Sequence, residues 1–179
     1  MIPHTYGYFN NTERGYHLMR IKSIVNRTMK FKYFVVKKVS RSEESIVIEI
    51  FPRKNSRPFC SVCGERSPAY DTLRPRRWRH VKLWGIETFI IYSPRRVNCP
   101  VCGIKVEKIP WSMGKSSLSM PLIDTLQRMA KYLSFNDVAR LFGVSWNTVR
   151  AAVQKAVEFG LAARSVIGVL YIGIDEMAS

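Results

Sequence analysis

The sequence predicts a multi-module α+β chain. A small β-rich four-cysteine zinc-binding module comes first, a helical helix-turn-helix follows, and an apolar strand ends the chain. Three observations carry this expectation. All four cysteines fall in two Cys-x-x-Cys-Gly repeats, Cys60 to Gly64 and Cys99 to Gly103. Strand-type alternation surrounds the repeats. A helical period broken by a short glycine turn then occupies residues 120–159.

The elements follow in order. Residues 1–30 are polar, aromatic and basic with no sustained period, and carry no assignable role. Within 31–118, Phe31 to Val39 is rich in β-formers. Ser45 to Phe51 alternates Ile46, Ile48 and Ile50 against Val47, Glu49 and Phe51, so Ser40 to Ser45 reads as a hairpin turn. Residues 53–118 are rich in Pro, Arg and Cys, with strands expected at 76–83 and 86–92 around Gly85. Ile109 to Ser119, with Pro110 and Gly114, reads as a linker. Residues 119–160 form the helical module, and 161–179 hold a linker and a continuous apolar run at 166–174 suited to a buried strand.

The cysteines point to a metal. Two thiolates three positions apart on a tight turn both reach one tetrahedral zinc at about 2.3 Å. A glycine after each pair permits the positive φ that wraps the turn around the ion. Cys60, Cys63, Cys99 and Cys102 then close the coordination sphere, which makes a structural rather than a catalytic site. The 35 residues between the pairs exceed the usual ribbon spacing of about 15–20, and a hairpin at 76–92 accounts for the excess. A redox Cys-x-x-Cys pair would open a helix after a strand, which neither pair does. His80 is the one nearby alternative ligand, and four cysteines leave it none to replace.

Charge narrows the partner. The chain has 29 Lys and Arg against 13 Asp and Glu, a net +16. Residues 1–59 hold 12 basic and 4 acidic side chains, 60–118 hold 11 and 4, and 119–179 hold 6 and 5. So one-sided a surplus implies a polyanion, nucleic acid before a membrane surface. No apolar run reaches the ~18 residues of a spanning helix, and Met1 to Lys30 lacks a signal-peptide core. A cytoplasmic, nucleoid-associated protein with no membrane partner is expected. Around the cysteines, Arg76, Arg77, Arg79, Arg95 and Arg96 are candidate phosphate contacts, with Trp78 and Trp84 as packing or stacking groups.

In the helical module, Leu122 to Leu133 is amphipathic and entered through Pro121. Ser134-Phe135-Asn136-Asp137 has the form of a capping box, starting a helix over Phe135 to Phe142. Gly143 stops it, and Ser145 caps a third helix from Trp146 to about Glu158. Val138, Ala139, Phe142, Val144, Val149 and Ala152 fall where a helix-turn-helix packs. Ser145, Trp146, Asn147, Arg150, Ala151 and Gln154 face outward. Of these, Ser145, Trp146, Asn147, Arg150 and Gln154 are candidate DNA contacts, since Asn and Gln pair with adenine edges and Arg with guanine.

The order of parts then resembles one family. Paired strands lead into PFCSVCG, RRWRHVKLWGIETFIIYSPRRVNCPVCG, VEKIPWS, LSFNDVARLFGVSWNTVR and finally YIGIDE. Over about residues 33–179 this looks like the N-terminal half of a bacterial insertion-sequence transposase of the ISL-three family. The resemblance implies that a zinc finger and a helix-turn-helix bind the terminal inverted repeats of the element. It makes Cys60, Cys63, Cys99 and Cys102 the zinc ligands. It places Asp175 as the first carboxylate of an Asp, Asp, Glu triad, on the first strand of a truncated RNase H-like domain whose Mg²⁺ ions sit about 4 Å apart. The second Asp and the Glu are expected downstream of Ser179, so the chain alone is expected to be inactive. Mg²⁺ then belongs to a full-length parent. Double-stranded DNA is the expected partner, with a second copy or intact transposase as the protein partner. A zinc-containing helix-turn-helix transcriptional regulator is the alternative.

Overall fold

A computed structural model of the chain describes residues 22–29, 31–112 and 114–162. The chain divides into two compact units, Met1–Ile123 and Asp124–Ser179. The apolar run at 166–174 and Asp175 lie outside the described residues.

Among the described residues, the first unit begins with a short helix, α1 (residues 22–29). Seven strands follow: β1 (Phe34–Arg41), β2 (Ser45–Pro52), β3 (Ala69–Thr72), β4 (Arg76–Leu83), β5 (Ile86–Tyr92), β6 (Arg95–Cys99) and β7 (Gly103–Val106). They form a four-stranded sheet of order β1-β2-β5-β4 and a three-stranded sheet of order β3-β6-β7. β1 meets β2 antiparallel across a turn closed by Ser42, whose Oγ accepts from Ser45 N at 3.1 Å. β2 meets β5 in parallel, Ser45 opposite Glu87 and Glu49 opposite Ile91. The hairpin expected at 76–92 therefore belongs to the larger sheet. The first cysteine pair and β3 sit in the crossover that the parallel pairing requires. Trp84 and Gly85, at φ 53° and 76°, make the β4–β5 turn with two left-handed residues, matching the strand twist.

One face of the larger sheet is buried, as the period-two pattern demands. Ile46, Ile48 and Ile50 of β2 pack with Phe34, Val36 and Val39 of β1, Trp78 of β4, and Ile90 and Tyr92 of β5. The expected linker at 109–119 is instead part of this core. Trp111 is 1% exposed, with ring centroids 5.0 Å from Phe34, 5.4 Å from Tyr92 and 6.2 Å from Trp78. Polar punctuation surrounds Trp111 in sequence and conceals its burial. The same segment covers the β4 edge, with Arg79 N donating to Ser117 O at 2.8 Å and Ser119 N to Arg79 O at 2.9 Å.

The smaller sheet has little apolar substance. Every residue of β3 and β7 is exposed. Its buried cluster is Cys60, Val97 and Cys99 with Cys102 against them.

Three helices follow: α2 (Met120–Met129), α3 (Phe135–Phe142) and α4 (Trp146–Ala162). Ser134 caps α3, its side chain accepting from Asp137 N. Gly143, at φ 58° and ψ 43°, returns its N–H to the last carbonyls of that helix. Ser145 Oγ accepts from Thr148 N at 3.2 Å and caps α4. In the second unit α3 packs on α4, with Val138, Ala139, Val149 and Ala152 buried. Gln127 of α2 donates to Ala152 O at 2.8 Å.

Candidate metal centre and nucleic-acid interface

The two cysteine turns converge. Cys60, Cys63, Cys99 and Cys102 place their sulfurs within 4.8 Å of one another, with Cys63 and Cys99 at 3.5 Å. A tetrahedral ion about 2.3 Å from each thiolate requires sulfurs roughly 3.8 Å apart, so the cluster fits zinc. The glycines do what the spacing asks of them. Gly64 at φ 76° donates its N–H to Cys60 O at 3.0 Å, and Gly103 at φ 71° sits opposite Cys99 in the β6–β7 ladder.

Local dipoles prepare the first thiol of each turn for charge. The backbone N–H groups of Cys63 and Val62 aim at Cys60 and lower its pKa. That of Cys102, with Val101 behind it, lowers Cys99 to about 6. The second thiols go the other way. Against Cys63 the Glu65 N–H favours the thiolate, but burial and the neighbouring Cys99 outweigh it and raise the pKa. The Cys63 sulfur, then burial, push Cys102 up to about 12. Four crowded sulfurs cannot all ionise by themselves, whereas a divalent cation at their centre makes that ionisation favourable.

A polar network stands directly behind the cluster. Glu107, 2% exposed, lies opposite Cys60 in a β-bridge. Its carboxylate accepts from Arg95 Nε at 3.0 Å, Arg95 Nη2 at 2.7 Å, Arg95 N at 2.7 Å and the Tyr92 hydroxyl. Burial, then the Glu107 carboxylate, raise the Tyr92 pKa well above its usual value. Ser67 Oγ is buried without a hydrogen-bond partner among the described residues, and its hydroxyl helps to lower the Cys99 pKa. Neither Glu107 nor Ser67 has a sequence signal, since their roles arise from pairing that spacing does not encode.

Residues 56–102 match a family model described as the zinc-finger of transposase IS204/IS1001/IS1096/IS1165. Over 135 residues the chain is 27% identical to transposases for insertion sequence element IS1557 from two strains of Mycobacterium tuberculosis, CDC 1551 / Oshkosh and ATCC 25618 / H37Rv. The alignment covers 74% of the chain and 30% of either relative, so the chain spans about a third of their length. Over that stretch it is similar to insertion-sequence transposases of the ISL-three type. No solved structure matches it. The family match, the four-thiol geometry and the N–H···S contacts together support structural zinc in this transposase relative.

The arginines expected to touch phosphate are unequally placed. Arg79 chelates Glu87 through Nε at 2.9 Å and Nη2 at 2.8 Å, and Lys82 joins the same carboxylate at 3.0 Å. Arg95 is tied to Glu107 and donates to Ser56 O at 2.9 Å. Arg96 holds Asp71 and covers the Tyr70 ring. Arg77 lies 3.4 Å over Phe89. Arg76 stacks on Trp78 and donates to Ser116 O at 3.3 Å. Trp78 is core, its Nε1 donating to Ser112 Oγ at 3.0 Å, whereas Trp84 is 66% exposed. His80 is half-buried, its Nδ1 2.8 Å from Ser119 Oγ.

On α4, Asn147, Arg150, Ala151 and Gln154 are exposed, as is Ser145 before them. Trp146 is partly committed, packing on Phe135 at 5.9 Å with the Arg150 guanidinium 5.7 Å from its ring. Gln154 Nε2 donates to Glu158 Oε1 at 3.0 Å. Among the described residues no helix is long and apolar enough to cross a membrane.

Proposed function

We propose that the chain is the DNA-recognition part of an insertion-sequence transposase and binds the terminal inverted repeats of its element. The observation that carries this reading is the zinc-finger match over residues 56–102, which falls on the four clustered thiols. The metal would organise a cationic module that grips phosphate. The helices α3 and α4, joined by Gly143-Val144-Ser145, would form a helix-turn-helix that reads base edges through Asn147, Arg150 and Gln154. Ser145 and Trp146 would frame the entry of α4 into the major groove. Of the arginines near the cysteines, Arg76 and Arg77 have no carboxylate within ion-pair distance among the described residues and would contribute more to phosphate binding than Arg79, Arg95 and Arg96. Asp175 would be the first carboxylate of the Mg²⁺-binding triad, in a transposase that also carries the other two.

The test is a binding titration of the zinc-loaded chain on duplexes carrying insertion-sequence ends and on mixed-sequence duplexes. Preferential binding to the ends is expected. Arg150→Ala should weaken end binding by about 1–3 kcal/mol while sparing mixed-sequence DNA. Equal affinity of the parent chain for both duplexes would refute recognition of the ends.

A further inference from the structure

The cations that dominate the sequence near the cysteines are largely neutralised in the fold, which raises the question of where the free charge sits. Lys82, Arg79, Arg95 and Arg96 all bind carboxylates. A different group, drawn from three separate stretches of chain, has no carboxylate within ion-pair distance among the described residues. These are Lys32, before β1, Arg53, after β2, and Arg66, after the first cysteine turn.

The fold brings the three to one aromatic platform. Tyr33 and Phe59 lie with ring centroids 4.9 Å apart. The Arg66 guanidinium sits 5.0 Å from each ring, and its Nη2 donates to Tyr33 Oη at 2.7 Å. The Lys32 ammonium is 5.5 Å from the Tyr33 ring, and Arg53 N donates to Tyr33 O at 2.9 Å. Lys32 and Arg53 also line a cleft of about 160 Å³ with Asn26 of α1, whose Oδ1 accepts from Val36 N at 3.0 Å.

We infer that Arg66, braced on Tyr33 and Phe59, with Lys32 over Tyr33 and Arg53 beside it at the cleft, forms a phosphate-binding surface for the backbone of duplex DNA. This rests on the DNA-binding reading above and assigns it a second footprint, distinct from the β4–β6 arginines. The chemistry favours a phosphodiester backbone over a lone anion, because the three cations are spread over a platform rather than converging on one point. The Arg66 guanidinium, stacked on two rings, keeps N–H donors available at its edge, and stacking limits the rotamer entropy lost on binding. Such contacts give affinity and position without sequence choice.

The experiment is the salt dependence of binding to a short mixed-sequence duplex, measured for the full chain and for the Lys32→Gln/Arg53→Gln double variant. Each lost phosphate contact removes about 0.9 from the slope of log K against log salt, so a fall of about two is expected. Lys38→Gln/Arg41→Gln takes the same charge from the strand β1 and should leave the slope as in the parent. A urea unfolding midpoint equal to the parent's, together with one equivalent of bound zinc, confirms that each variant is folded in both sheets. The charge-preserving Lys32→Arg/Arg53→Lys pair should restore the slope. A parent slope retained in Lys32→Gln/Arg53→Gln overturns this surface while leaving the DNA-binding reading intact. A parent chain that ignores the duplex at low salt, or that binds only phosphatidylserine vesicles, overturns both.

Discussion

The two sheets of the first unit are built on opposite terms. The four-stranded sheet buries Trp78, Trp111, Tyr92 and a row of isoleucines, each contributing roughly 1.5–3 kcal/mol by leaving water. The three-stranded sheet buries two cysteines and Val97, too little apolar surface to order its short strands alone. One sheet is held by side-chain packing. The other depends on a four-thiol cluster that fits zinc, backed by an ion pair. Cysteine spacing is therefore decisive for a part of the molecule that hydrophobic patterning barely registers.

The sharpest way to break this contrast is Cys99→Ser. Structural zinc supplies on the order of 10 kcal/mol of folding free energy in small fingers. Amide exchange protection should vanish from β6 and β7 and zinc stoichiometry should fall to zero, while β2 and β5 stay protected. Loss of protection in β2 and β5 as well would mean that the two sheets are not energetically separate. Trp111→Ala is the converse perturbation. It should cost the larger sheet about 3–5 kcal/mol in urea unfolding and leave zinc stoichiometry unchanged.

Glu107→Gln tests the seam between the sheets, because it leaves the Arg95 cation behind with 12% of its side chain exposed. A loss of about 3 kcal/mol is expected. Arg95→Met in the same background should recover a large part of it, and a double variant as unstable as the single one would argue against the ion pair. The smallest effect belongs to His80. Burial holds its pKa below the usual value, so the folded chain prefers neutral imidazole and the unfolded chain takes up the proton first. The resulting stability is present above about pH 6.5 and is lost as pH falls below it. His80→Gln should shrink the difference between the urea-unfolding free energies at about pH 7.5 and about pH 5.5 by a few tenths of a kcal/mol, under about 1 kcal/mol. An unchanged difference would show that the imidazole contributes nothing.

How far the sequence was legible follows the same physical divide. The alternation at Ile46, Ile48 and Ile50 and the Ser134 and Gly143 helix signals are local, and each marks an element of the fold. The four thiols were legible because a metal needs few residues of fixed type. The parallel pairing of β2 with β5 was not, since both partners read equally well as halves of hairpins. β3, β6 and β7 are too short and too polar to show a period. The basic residues were legible as a total but not as individuals. Whether an arginine meets a carboxylate, as Arg95 meets Glu107, or stands on a ring, as Arg66 does, is decided by long-range register.

The parallel ladder has a consequence for how the chain comes off the ribosome. β2 is finished early, yet its neighbour β5 is made only after the first cysteine turn, β3 and β4, and the last metal ligand, Cys102, comes later still. Most of the order in this region therefore waits on contacts between segments far apart in sequence, which slows folding relative to a set of local hairpins. Until β5 and Trp111 have emerged, the isoleucine row of β2 has no permanent cover, and a nascent chain stalled before that point would present it to chaperones.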